Sequence, residues 1–478
     1  MKKLLLIVFL LCLAASSFSQ QFSLLNTGTL YDSFENPSDR AFLSDTSKMY
    51  ACNFLAPNFN ADLFLNGDAQ ATLKSRVFLN QYDNSALKIN QDKYNRATSN
   101  INVYILMVKM FTSVAGDEEM GLSWQLKTDG KANFSDESIA ALNGPGDFAS
   151  GQNYTNVLDS RYYYQTYHQF SFTYRERLNK QVAIGFKFSL LAGVEYQQLN
   201  IYSSNATFNS VSDTAQVNLQ GTYKAAYIPG QFTSHDYLPT FRSPGASISV
   251  GSTYTTEDNF ILQGNIKDLG FIHWSPRSEI YNFDDSQTFP GLSSPTREDT
   301  IYKYVSRIIH NGATEGSFTT PIDGTAELSL HKIFYIDDDQ LFSYSPTLVA
   351  SKELFYNGFV GALVNPINYK YYSLTLTPSY NDLKIFNFGA QFMYRKPNWE
   401  IYIGSDRLFQ TISATSQALS KNATGIDQNS GFTGANIFLG FSLKLGPTIE
   451  HPMDASSIPT GEKGFLGRLW QRFFKTDD

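Results

Sequence analysis

The chain has only two cysteines, and one of them, Cys12, lies in an apolar leader. Cys52 alone remains behind that leader, which excludes an intrachain disulfide framework and a thiolate metal cluster. Beyond the leader no apolar run approaches the roughly 20 residues that a spanning helix requires, and mean hydropathy is −0.26. A membrane reading therefore needs strands, because only helices and closed barrels satisfy the backbone inside hydrocarbon. Charge is scarce at 17% of residues, and the net charge of −7 speaks against a nucleic-acid surface. His168, His235, His273, His310, His331 and His451 show neither i, i+4 pairing nor a metal-site spacing. Gly-rich phosphate loops and Gly-x-Ser-x-Gly elbows do not occur. No catalytic residue, metal or cofactor is assigned, and the chain does not read as an enzyme.

What the chain has in abundance is aromatic: 38 Phe and 29 Tyr among 478 residues. The stretch from Tyr162 to Tyr196 organises the rest. Phe170, Phe172 and Tyr174, then Val182, Ile184, Phe186, Phe188 and Leu190, occupy even positions. Gln169, Ser171, Thr173, Arg175, Lys187 and Ser189 occupy odd ones, and Asn179-Lys180 separates the two runs. Successive strand residues face opposite sides, so this is a hairpin with one apolar and one polar face. Each strand exceeds the roughly 9–11 residues that cross a bilayer. The pattern predicts an all-β fold, a transmembrane antiparallel up-and-down barrel with a wet lumen, in preference to a large soluble β protein. Similar alternation recurs to Leu445, giving about 14 strands, with short links below and long loops above.

Lys2-Lys3, the apolar run Leu4–Ala15 and Ser16-Ser17-Phe18-Ser19 have the order of a secretory signal cleaved after Ser19. Residues 20–47 read as a plug-like segment, 48–446 as the barrel, and 447–478 as a periplasmic linker and short helix. The stretch from Asp62 to Asn95 reads as a further inward-folded part of the plug, and 204–245 and 406–433 as long loops. Ser135-Asp136-Glu137-Ser138 signals a short helix, and Ile301–Ile309 reads as another. In the tail, Phe465, Leu469, Trp470 and Phe473 line one helical stripe with Arg468 and Arg472 opposite. Such a helix lies on a membrane surface, caps the lower mouth or docks on a periplasmic or secretion-system protein.

Two short motifs carry a family resemblance. Asn36-Pro37-Ser38-Asp39 stands between the leader and the first strand and favours a turn. In this it resembles outer-membrane barrels of the FadL type, including Bacteroidota relatives attached to type IX secretion. Those barrels carry Asn-Pro-Ala where the plug enters the wall; here Ser38 replaces the alanine. Asp268-Leu269-Gly270-Phe271, running on to Trp274, is similar to a strand of an uncharacterised Bacteroidota barrel family. The resemblance implies an outer-membrane, porin-like location and passive transport of hydrophobic small molecules past a plug. Its secretion-linked branch implies instead a docking scaffold for other proteins. An apolar lumen would favour transport; a polar, filled lumen with elaborate loops would favour scaffolding.

Three lesser features stay open. His273-Trp274-Ser275 has a serine near a histidine, Asp337-Asp338-Asp339 offers carboxylates to calcium, and Tyr162–Tyr164 and Tyr369–Tyr372 suit either sugar stacking or an interfacial girdle.

Overall fold

Alternation of side chains decides the architecture. In the computed structural model, which describes residues 22–40, 48–54, 56–111, 118–226, 238–355, 358–420 and 432–448, Phe188 is 47% exposed while its neighbours Lys187 and Ser189 are 1% and 0% exposed. The same parity holds at Leu328 and Leu348, both outward and about 60% exposed. Apolar side chains on the outside of a ring of buried polar ones invert the arrangement of a soluble protein and mark a wall that faces lipid.

Fourteen antiparallel strands form that wall. β1 runs Lys48–Cys52 and, after an irregular step, Asn58–Asn66; β2 is Tyr94–Phe111, β3 Glu118–Ser135, β4 Arg161–Arg177 and β5 Val182–Asn209. β6 is Pro244–Thr255, β7 Phe260–Trp274, β8 Phe318–Pro321 with Thr325–Lys332, and β9 Phe342–Tyr344 with Thr347–Glu353. β10 is Phe359–Tyr369, β11 Tyr372–Asn381, β12 Phe386–Lys396, β13 Trp399–Ser405 and β14 Phe432–Thr448. Each strand pairs with its neighbours in sequence, and β1 pairs with both β2 and β14, which closes the barrel.

The described turns at one end are short. Asn179 fastens the β4–β5 turn by accepting from the backbone amides of Gln181 and Val182 at 2.8 and 2.7 Å. Aromatic rings gather on the outer wall near this end: Tyr372 and Trp399 lie 5.0 and 5.2 Å from Tyr394, beside an exposed Tyr371. Tyr369–Tyr372 thus belongs to an interfacial girdle. Tyr163 does not, since it faces the lumen and its hydroxyl donates to Asp323 at 2.9 Å.

The other end carries elaborate structure. Asp62 to Asn95 does not fold into the lumen: it completes β1, forms helix α2 (Ala69–Leu79; α1 is introduced with the plug below) and enters β2. β5 runs on to Asn209 and returns as a strand, Thr214–Ala225, which pairs with a third, Glu279–Pro290. One face of this sheet packs Phe208, Val217, Leu219 and Phe283 against Phe148, Leu292 and Ile308. Ile308 comes from helix α4 (Arg297–Ile309), and α3 (Asp136–Ala140) lies below it, N-capped by Ser135, which accepts from the Ser138 amide. The 406–433 loop also contains a helix, α5 (Leu408–Ser420). The leader and the tail helix with Phe465, Arg468, Leu469, Trp470, Arg472 and Phe473 fall outside the described residues.

The parity gives a direct test. Phe188→Arg sets a cation against lipid, which costs about 2–4 kcal/mol near the midplane, and should lower the yield of heat-modifiable, membrane-inserted protein. Asn205→Arg, on the exposed part of the same strand that extends beyond the wall, should leave that yield unchanged.

Candidate functional site

The lumen is filled rather than wet. Residues 22–40 run through it, and polar groups on most of the surrounding strands hold them. Near one end Ser23 Oγ donates to Asp406 at 2.7 Å, while Phe22 and Leu25 pack on Val349, Val360 and Val364. Helix α1 (Leu30–Glu35) follows, capped by Thr29 Oγ1, which accepts from the Asp32 amide at 3.1 Å. Its ends match its dipole. The Leu30 amide donates to Glu400 on β13 at 3.0 Å, and Lys109 on β2 donates to the Ser33 carbonyl at 2.8 Å. Tyr104 donates to Glu35 at 2.8 Å, and Arg395 on β12 donates to the Thr27 carbonyl at 2.5 Å.

Asn36-Pro37-Ser38 then forms a tight corner against the wall. Asn36 Oδ1 accepts from both the amide and the hydroxyl of Ser38, at 3.2 and 2.9 Å. Arg175 on β4 donates to the Ser38 carbonyl at 2.7 Å, and Ser38 Oγ lies 2.9 Å from Thr253 Oγ1 on β6. Asp39 accepts from Gln263 on β7. The corner rests on a cross-strand pair of glycines, Gly185 and Gly251. A Cβ at Gly185 would lie 1.8 Å from the Pro37 carbonyl oxygen, and one at Gly251 2.8 Å from Asn36 Oδ1. Only glycine admits a backbone this close.

Beside the plug, Asp268 gathers five strands. Lys267 and Asp268 together stand opposite the single Ser249, because the β6–β7 register slips between Ile266 and Leu269. This is a β-bulge, with Asp268 at φ 49°. The extra residue reverses the parity of β7: Leu262 and Ile266 face out before it, Leu269 and Phe271 after it. Asp268 therefore points inward, where Lys127 of β3 lies at 2.5 Å and Lys187 of β5 at 3.1 Å. Gln169 of β4 donates to it at 2.9 Å, and its own amide donates to Ser249 Oγ of β6 at 2.8 Å. Lys267 pairs with Glu327 at 3.3 Å. Trp274, also turned inward by the bulge, is fully buried and donates to Thr320 at 2.8 Å. Gly270 allows the close approach of β6, since a Cβ there would lie 2.4 Å from the Ala246 carbonyl oxygen.

Further ion pairs line the lumen. Lys131 meets Asp323 and Glu353 at 3.0 and 2.7 Å, Glu400 meets Arg395 and Lys444 at 3.4 Å each, and Arg407 meets Asp62 at 2.9 Å. The sequence motifs thus mark two real positions, the corner and the bulge, but not the lysines and carboxylates that complete the network. Their signal was available as charges at inward parity, Lys127 and Lys187 among them.

Above the mouth, Glu298 of α4 takes a bidentate pair from Arg76 of α2, at 2.5 and 2.7 Å, and a bond from Tyr82 at 2.6 Å. Burial alone would raise the Glu298 carboxyl, yet the bonds from Arg76 and Tyr82 hold it below its ordinary range. A depressed carboxyl stabilises the clamp at neutral pH and loses that contribution as pH falls through its folded value. The remaining candidates do not assemble. His273 lies on the outer wall 3.0 Å from Thr319 Oγ1, whereas Ser275 Oγ accepts from the Arg277 amide. Asp337 caps its own turn through the amides of Leu341 and Phe342. Among the described residues no group of three metal-binding side chains converges.

Three substitutions probe the lumen. Asp268→Asn leaves Lys127 and Lys187 buried without their carboxylate and should destabilise the barrel by about 3–5 kcal/mol. Lys187→Met should cost less, because Asp268 keeps Lys127; urea unfolding followed by gel mobility compares them. Gly185→Val should dislodge the corner while the barrel persists, read as new protease cleavage within residues 22–40 of a still heat-modifiable protein.

No curated protein matches the chain by sequence. Among solved structures it resembles the Pseudomonas putida toluene transporter TodX, at 9% identity and a TM-score of 0.41, covering 91% of this chain and 96% of that one. A Pseudomonas aeruginosa FadL homologue matches at 11% identity and a TM-score of 0.41, over 88% and 94% of the two chains. The Ralstonia pickettii toluene transporter TbuX matches at 7% identity and a TM-score of 0.40, over 84% and 90%. Residues 52–406 match DUF5723, a family of unknown function, and the chain belongs to that family.

Proposed function

We propose that the protein is a plugged outer-membrane barrel that works as a surface docking scaffold and not as a conduit for hydrophobic molecules. The filled, charged lumen carries this reading. An apolar solute crossing it would have to displace α1 and strip partners from buried ions such as Asp268 and Glu400, which are 3% and 1% exposed. Breaking one such pair costs several kcal/mol, and an apolar solute returns no polar contact in exchange.

The extracellular sheet supplies the working surface. While one face is packed, the other presents rows of uncharged hydrogen-bonding side chains: Asn205, Asn218 and Ser286 in one row, Thr207, Gln216 and Thr288 in the next. The sheet is locked to α4, and α4 to α2 through the Arg76–Glu298 pair, so the surface is held rigid relative to the wall.

Purified protein in liposomes should show no uptake of a monoaromatic or long-chain fatty-acid probe above protein-free vesicles, and planar bilayers should stay without steady conductance. The Gly185→Val variant should become conductive. Protein-dependent uptake by the unaltered chain would restore the transport reading and remove the scaffold one.

A further inference from the structure

β13 is short. Its seven residues, Trp399–Ser405, tilted as barrel strands are, rise roughly 16–19 Å. The apolar band of such a barrel is about 25 Å tall. Its neighbours continue higher: β12 begins at Phe386 and β14 at Phe432, whereas β13 pairs with them only between Ala390 and Lys396 and between Phe438 and Leu443. The wall therefore has a notch above Ser405. Both flanks of this notch are apolar and face outward, with Phe386 57% and Ile437 45% exposed. An open strand edge is not tolerated in hydrocarbon, so something must fill the gap.

Helix α5 fills it. Thr411 Oγ1 donates to the Asn436 carbonyl at 3.1 Å and accepts from the Asn436 amide at 2.9 Å, which satisfies the edge of β14 that β13 leaves unpaired. Ser405 Oγ lies 3.1 Å from the same hydroxyl. Phe409 stacks on Phe388 of β12 with ring centroids 5.5 Å apart. The helix contains no charged residue. Gln417 is buried toward the protein, while Phe409, Ile412 and Leu419 are 62%, 57% and 81% exposed along one stripe. In water such a face would be a liability; beside Phe386 and Ile437 it continues the lipid-facing belt.

We propose that α5 is a piece of the membrane wall: it replaces the missing upper part of β13, and its Phe409–Ile412–Leu419 stripe contacts the acyl chains of the adjacent leaflet. The partner is bilayer hydrocarbon, because both flanks already face it and because the stripe carries no charge to suit a polar one.

Spin labels test this in the full barrel reconstituted into liposomes, in a Cys52→Ser background. Labels at Ile412→Cys and, independently, Leu419→Cys should collide with oxygen and be shielded from a water-soluble nickel chelate. They should match a label at Phe392→Cys on the mid-wall and differ from one at Val211→Cys on the extracellular hairpin. Heat-modifiable mobility of each labelled protein confirms folding. If the labels at 412 and 419 meet the nickel chelate as freely as that at 211, the helix lies in water and the proposal is wrong. If one position is misfolded when labelled, the other decides by the same comparison.

Discussion

Burial of Asp268 sets the terms for half of the barrel. A carboxylate removed from water must be repaid by charge and hydrogen bonds at close range, and here the two lysines, the glutamine and the serine come from four other strands. One bulge thereby fixes the mutual register of β3 to β7. It also decides what β7 presents above it, because the reversed parity sends Leu269 and Phe271 to the lipid and Trp274 into the lumen. Without the inserted residue Trp274 would face outward, and the seat formed by Gly193 and Tyr196 would be empty.

The same accounting explains why the plug and the wall form one unit. An inward-facing ring of polar side chains can be satisfied by water or by protein. In this chain the N-terminal segment supplies the protein option: backbone carbonyls of Thr27, Ser33 and Ser38 accept from Arg395, Lys109 and Arg175. Wall cations that would otherwise attract water are bound to the plug, and the plug's own polar backbone needs little secondary structure beyond the short α1 and a 3-10 turn at Phe22–Leu24. Such a lumen is suited to holding shape. It offers little to a molecule without polar groups.

Parity made the wall legible from sequence, because outward Phe186, Phe188 and Leu190 alternate with Lys187 and Ser189 along the first part of β5. The Asn36-Pro37 corner was legible too, as a turn in the right place. The bulge was encoded in the shift of apolar residues from even positions at Phe260, Leu262 and Ile266 to odd ones at Leu269 and Phe271, but a strand read by one parity hides it. Pairings across the lumen, such as Lys131 with Glu353, join residues with no periodic relation and follow only from the closed ring. α5 was missed for a different reason: its sequence lacks charge and exposes Phe409, Ile412 and Leu419, so it resembles neither a soluble helix nor a strand. Asp62 misled as well: it opens the stretch that reads as part of the plug, while it serves as the buried partner of Arg407 within β1.

Ser38 in the Asn-Pro corner follows the same logic. The corner itself needs only the Asn36 side chain, the fixed φ of Pro37 and glycines opposite; an alanine at position 38 would leave all three in place. The hydroxyl adds two contacts an alanine cannot make, to Asn36 Oδ1 and to Thr253 of β6. Both lie on the buried side, where each satisfied group contributes about 0.5–1.5 kcal/mol. The Ser38 hydroxyl therefore strengthens the join between plug and wall at the point where the chain turns toward β1. A segment that had to leave the lumen for each passing molecule would gain nothing from a tighter hold there, whereas a permanent plug does.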